Sequence, residues 1–268
     1  MIIDAFIFYN ELELLEKRLE YLYDSVDYFA VVESNYTHSG IEKPLNFLRN
    51  RSRFAKYLDK VLYYPLIIDP SNYNFGQKVD KFDSGSEHWR FENAQRNAIA
   101  DAVKSFSPND VVFISDLDEI PDKNMFGLIM DELKTTDILA LVHRFFYYNL
   151  NCMFDGPWFG PMVTKKHILD HTSPQKVREH AIVAKRIQYG GWHLSYFFGE
   201  NAIKTKLQSF AHQEWNQDYW LNPERIKKCI EEKKDIFERE NHPPLIEPPL
   251  EIFPEDFLKV FRQYRRPF

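Results

Sequence analysis

The 268-residue chain has only two cysteines, Cys152 and Cys229, far apart and in no Cys-x-x-Cys spacing. This excludes a disulfide scaffold and a thiolate metal site, and two free thiols suit a reducing compartment. No apolar run approaches the ~18 residues that a membrane-spanning helix needs. The opening stretch, Met1 to Tyr9, is apolar but short and interrupted by Asp4. It lacks a basic leader and a small-residue cleavage site, so a signal peptide is not expected and a cytoplasmic location is. Basic charge is in deficit: 34 Lys and Arg against 40 Asp and Glu give a net −6. A broad face for a phosphate backbone, and hence a nucleic-acid partner, is not expected. There is no internal repeat and no Asp-Asp pair.

What is present is an ordinary globular balance, 44% apolar and 28% charged. A chain of this length buries ~70–75% of its unfolded surface and needs no staple. Aromatic residues reach 16%. Most belong to a core, and a surplus of Trp and Tyr suits sugar recognition, because a ring face covers the C–H face of a pyranose.

The pattern along the chain alternates strands with helices. Ile2 to Tyr9, Asp27 to Glu33, Val61 to Ile68 and Val111 to Ile114 read as strands. Between them Glu11 to Tyr23, Leu45 to Lys60 and Glu87 to Phe106 read as helices, the first with Leu12, Leu15, Leu19 and Leu22 at helical spacing. Such a βαβ series predicts an α/β fold with a mostly parallel central sheet flanked by helices, and ligands at the carboxyl edge of its strands. A long loop, Asp69 to Ser86, precedes the third helix. In the second half Ile138 to Leu150, Phe159 to Ile168 and Ala181 to Gln188 read as strands. Asn201 to Ala211, Asn222 to Phe237 and Pro254 to Tyr264 read as helices. Pro243, Pro244, Pro248 and Pro249 mark an extended connector.

The strongest buried strand runs straight into Ser115-Asp116-Leu117-Asp118-Glu119-Ile120-Pro121. In an extended segment Asp116 and Asp118 point to the same side. Clustered carboxylates repel unless a cation joins them, and hard oxygen donors suit Mg2+ or Mn2+. The competing reading makes Asp118 and Glu119 the N-terminal caps of a helix from Pro121 to Leu133. Arg96, on the preceding helix, is placed to face a diphosphate at the same edge. Downstream, Gly190-Gly191-Trp192-His193 joins two glycines, which let a ligand approach the backbone, to a Trp and a His. His193 is a candidate third metal ligand beside Asp116 and Asp118.

The ordered set of Val111 to Pro121, Gly191-Trp192-His193, Lys206-Leu207 and Leu221-Asn222-Pro223-Glu224-Arg225-Ile226 resembles the family of β-1,4-N-acetylglucosaminyltransferase III. Glu33 and Gly40-Ile41-Glu42-Lys43-Pro44-Leu45 are also similar to that family. The resemblance implies a GT-A-like, Rossmann-type fold with a smaller acceptor-side subregion. It implies a UDP-sugar donor (UDP-GlcNAc), a glycan acceptor, a divalent cation and inversion at the anomeric carbon. On this reading 1–268 is one catalytic domain. Residues 1–121 form its nucleotide-sugar half, 122–240 its acceptor and metal-completing half, and 241–268 a C-terminal connector and helix. Glu33, Arg96, Asp116, Asp118 and Trp192 are the expected donor-binding residues. Glu200, at the start of a helix, is the expected base, with Asp155 its rival in a sugar-facing loop. A phosphotransferase of the haloacid-dehalogenase type, with Asp116 as nucleophile, and a non-catalytic glycan-binding protein are the alternatives. A glycoside hydrolase fits less well, because its two carboxylates flank the sugar rather than sharing one strand end.

Overall fold

The computed structural model describes residues 1–240 and 244–265. The first half follows the expected alternation: β1 (Ile2–Phe8), α1 (Leu12–Leu22), β2 (Tyr28–Ser34), α2 (Asn46–Arg49), β3 (Val61–Leu66), α3 (Glu87–Ala102) and β4 (Val111–Asp116). A short strand β5 (Glu119–Pro121) and helix α4 (Phe126–Glu132) follow. The second half has β6 (Ile138–Tyr147), β7 (Met153–Lys165), α5 (Pro174–Glu179), β8 (Lys185–Ser195), α6 (Gly199–Ser209), α7 (Pro223–Glu231), β9 (Leu245–Ile246) and α8 (Glu255–Phe261).

The strands form one sheet in the order β3-β2-β1-β4-β7-β6-β8-β5, with β9 paired on β7. The pairs β3–β2, β2–β1 and β1–β4 are parallel, which gives the expected parallel centre. β7 then runs antiparallel to β4, and β8 runs parallel to β6.

Alternation along the central strands sends side chains to two cores. Phe6, Phe29, Val31 and Phe113 pack with Leu15 and Leu19 of α1 and with Phe257 and Phe261 of α8. Ile3, Ala5, Ala30, Val32, Val112 and Ile114 pack on Ala98 and Ile99 of α3. Each fully buried Leu or Phe here contributes about 1.5–3 kcal/mol, which is why the apolar runs read correctly as strands. A third cluster joins Phe145, Tyr147 and Phe154 to Ile203 and Leu207 of α6 and Ile226 of α7.

Several boundaries differ from the sequence reading. The helix expected over 45–60 is the short α2 followed by a 3₁₀ turn, Arg51–Tyr57. The helix expected from Pro121 starts at Phe126, because Glu119, Ile120 and Pro121 pair with β8. That overturns the capping reading of Asp118 and Glu119. β7 starts six residues before the expected Phe159, so Asp155 lies in a strand rather than a turn. β8 carries Gly190-Gly191-Trp192-His193 as paired strand. Helix α5 had no sequence signal beyond Ser173, which caps it, and Pro174. Pro243, and positions 241–243 and 266–268 of the C-terminal segment, lie outside the described residues. No helix among the described residues is long and apolar enough to cross a membrane.

Candidate active site

The parallel register brings Ile7 level with Asp116 and Phe8 level with Glu33 at the carboxyl edge of the sheet. Beyond β4 the chain turns through Leu117 and Asp118 into β5. Its antiparallel pairing sets Glu119 opposite His193. β6 lies on the other side of β8 and places Phe145 beside His193, where the two rings stack at 4.6 Å. Gly191 is required for this arrangement: a side chain there would collide with the Ile120 carbonyl and with His143.

The Asp116–Glu119 turn is braced from inside. Arg18 of α1, fully buried, donates from Nη1 to the carbonyls of Asp116, Leu117 and Glu119 at 2.8–3.0 Å. Its Nη2 donates to Ser115 Oγ, and both Nη2 and Nε bind Asp4. Asp4, which looked like an interruption of the first strand, is thus the counter-charge that lets an arginine sit under the turn.

Above the turn lies a cleft of about 390 Å³. Asp116 faces two arginines, Arg96 Nη2 at 3.0 Å and Arg178 Nη2 at 3.3 Å. Arg178, on α5, also makes two bonds to the fully buried Glu119, whose Oε1 accepts from Trp158 Nε1 and whose Oε2 accepts from the Asp116 amide. Burial would raise the Glu119 carboxyl, but the Arg178 guanidinium outweighs it and the net shift is downward. Asp118 accepts from Lys206 Nζ of α6 at 2.7 Å and lies 3.5 Å from His193 Nε2. There too burial opposes ionisation, and Lys206 with His193 holds the carboxyl well below its usual range. Burial pushes the neighbouring His143 imidazole down to about 3, so it is neutral at physiological pH.

Of the residues singled out from sequence, Arg96, Asp116, Asp118 and His193 line this cleft together. Four others do not. Glu33 spends its carboxylate on Lys43, Tyr63 and the Asn46 and Phe47 amides at the start of α2. Trp192 is fully buried under the sheet, stacked on Phe257 at 3.9 Å. Asp155 is exposed on β7, and Glu200, half-buried in the first turn of α6, is not among the residues that line the cleft. Sequence reasoning missed Arg178 altogether and met Lys206 only as part of a resemblance. Lone basic residues on short or amphipathic helices carry no local signal.

The three expected metal ligands do not form one cluster, and no group of three or more His, Cys, Asp or Glu among the described residues is placed to hold a metal. Asp116 is taken by arginine. Asp118 and His193 remain, an oxygen and a nitrogen donor side by side in the cleft. One carboxylate and one imidazole are too few for a protein cage, so the remaining oxygen ligands of a divalent ion would have to come from substrate phosphates.

A cleft at the carboxyl edge of a parallel sheet, where Arg96, Arg178 and Lys206 pair with its carboxylates, is the candidate ligand site. Residues 1–241 match glycosyltransferase family 17, and the chain belongs to that family. Curated relatives are the β-1,4-mannosyl-glycoprotein 4-β-N-acetylglucosaminyltransferases of Rattus norvegicus and Homo sapiens. Each is 30% identical over 131 residues, 46% of this chain and 22% of the relative. The aligned part is thus about a fifth of the length of those relatives. Among solved structures, 4-diphosphocytidyl-2C-methyl-D-erythritol synthase is similar at a TM-score of 0.38 and 11% identity, over 70% of this chain and 88% of that one. The galactosyltransferase LgtC, in complex with donor and acceptor sugar analogues, is similar at 0.34 and 10%, over 79% of each chain.

Proposed function

We propose that this chain transfers N-acetylglucosamine from UDP-GlcNAc to a glycan hydroxyl, with inversion at the anomeric carbon. The observation that carries the reading is the set of three cations, Arg96, Arg178 and Lys206, lining one cleft with Asp116 and Asp118. The donor class follows from the relatives' printed activity. Their acceptor is a β-1,4-mannosyl glycoprotein by name, and only the glycan class is carried over. The two cysteines, both buried free thiols, suit the cytoplasmic location that is part of this reading.

The diphosphate of the donor lies against the three cations. As the bond from the anomeric carbon to the β-phosphate oxygen breaks, negative charge builds on the departing UDP. Preorganised cations meet it without reorganisation. Arg96 and Arg178 are held by Glu92, Asp116 and Glu119, so their geometry is fixed before substrate arrives. Lys206 is the mobile partner, since its ammonium exchanges Asp118 for a phosphate oxygen. Asp118 and His193 would hold a Mn2+ or Mg2+ ion, which when bound adds charge neutralisation at the same diphosphate. Because both oxygens of Asp116 face arginine, it is a poor nucleophile, which weakens the phosphotransferase alternative.

The test is UDP release from a panel of UDP-sugars, with donor binding measured by calorimetry in the same samples. The expected result is binding and slow turnover selective for UDP-GlcNAc, with turnover lost in Asp118→Asn. Absence of binding by any UDP-sugar, with and without Mn2+, refutes the reading.

A further inference from the structure

A second cleft, of about 420 Å³, adjoins the first, within the ~300–1,000 Å³ typical of small-molecule sites. It lies between the start of α1 (Asn10 to Leu14) and the segment from Leu194 to Lys206. Among the described residues, four line both clefts: Glu11, Asp118, Tyr196 and Lys206. The donor's phosphate cation and the second cleft therefore meet at one point.

We propose that the second cleft seats the acceptor sugar and that Glu11, at the junction, is the base that takes the proton from its attacking hydroxyl. The inference rests on the glycosyltransferase reading above and adds to it a site and a residue.

Three observations support it. First, the lining is of the kind that binds a pyranose. Tyr196 and Phe198 supply ring surface, Asn10 and Asn201 are exposed, and Thr205 of α6, its hydroxyl donating to the Asn201 carbonyl, completes the lining. Second, the wall is built from strained backbone. Tyr196 (φ 58°) and Phe198 (φ 76°) both adopt the left-handed conformation without being glycine, and such strain collects where a ligand must be shaped. Third, the choice of base follows by comparing carboxylates. Glu13 lines only the second cleft, and its Oε1 is taken by the Tyr264 hydroxyl. Asp118 is ion-paired to Lys206. Among the described residues Glu11 accepts from the neighbouring Asn10 amide alone, at 3.1 Å, and lies near enough to Lys206 and Lys43 to interact with their charge.

In the step itself, the acceptor oxygen forms a bond to the anomeric carbon while the bond from that carbon to the UDP oxygen breaks. The acceptor proton passes to the Glu11 carboxylate, and UDP leaves with the electron pair.

The experiment uses methyl β-D-mannopyranoside and methyl β-D-galactopyranoside as acceptor probes. Their binding is followed by saturation-transfer NMR and their glycosylation by labelled-sugar transfer. UDP-GlcNAc binding is measured separately by calorimetry. Thr205→Trp, which fills the cleft, and Asn201→Trp, at an exposed lining position, are expected to abolish the pyranoside signal while UDP-GlcNAc binds as before. Glu11→Gln is expected to lower kcat about a thousandfold with the pyranoside KM and UDP-GlcNAc affinity unchanged. Undiminished pyranoside binding in both Trp variants overturns the site. So does failure of the wild type to bind either pyranoside while it binds UDP-GlcNAc. An unchanged kcat in Glu11→Gln overturns the base. If the wild type binds no UDP-GlcNAc at all, the donor reading falls first and this inference falls with it.

Discussion

Arg18 connects the fold to the site, and replacing it should damage both. Arg18→Met removes the partner of Asp4, and both side chains are essentially inaccessible to solvent. Breaking a buried ion pair from one side costs about 3–5 kcal/mol, because the remaining charge stays buried. It also strips the donor from three carbonyls of the Asp116–Glu119 turn, at about 1 kcal/mol each. Arg18→Met is therefore expected to lose much of a stability that is only about 5–15 kcal/mol in total. Adding Asp4→Asn removes the stranded charge but does not restore the carbonyl donors. The double variant should thus recover part of the loss, and the double-mutant cycle should show a coupling of a few kcal/mol. Urea unfolding of the two single variants and the double measures this, with UDP-sugar turnover as the second readout. Turnover should stay low in the double variant even where stability recovers, because the turn carrying Asp116 and Asp118 is no longer held. The reasoning is refuted if Arg18→Met unfolds within about 1 kcal/mol of the wild type, or if the double variant turns over donor at the wild-type rate.

Other consequences are equally direct. In the wild type the depressed Glu119 carboxyl contributes stability that is present above the ordinary carboxylate range and lost as pH falls through its lowered value. Arg178→Met reverses the sign, since burial alone raises that carboxyl. Its destabilisation, about 3–5 kcal/mol near neutral pH, should shrink on acidification toward about pH 4. A gap that widens in acid, measured by urea unfolding across pH, contradicts this. Lys206→Met should bind Mn2+ more tightly than the wild type in the absence of donor, because the ammonium and the metal compete for Asp118. Weaker or equal binding by electron paramagnetic resonance titration would count against Asp118 as a cation ligand. Trp192→Ala should cost about 3–5 kcal/mol as a core cavity while UDP-GlcNAc affinity per folded molecule is unchanged. A selective loss of affinity would return Trp192 to the donor site.

How much was legible beforehand depended on whether the information was local. Val111 to Ile114 is a continuous apolar run, and Asp116, Asp118 and Glu119 follow it directly, so both the central strand and the carboxylates at its end could be read. The alternation of such runs with leucine-spaced helices was enough for an α/β sheet, since burial energy scales with apolar area and repeats with the period of the element. Which cation meets which carboxylate was not local. Arg178 lies 59 residues from Glu119 and Lys206 lies 88 from Asp118. His193 is brought to the turn only by the β5–β8 register. Glu33 and Trp192 were expected at the donor through the family resemblance, but the tertiary structure uses one as a helix cap and the other as core. Asp4 read as an interruption of the first strand and Arg18 drew no attention, because a charge is tolerable inside only beside its opposite and that pairing is not local. The amino-acid sequence by itself determined the central strands, the helices α1 and α3, and the carboxylates at the end of β4. The tertiary structure alone decided their partners, because ion pairing at 3 Å depends on where the chain returns and not on what its neighbours in sequence are.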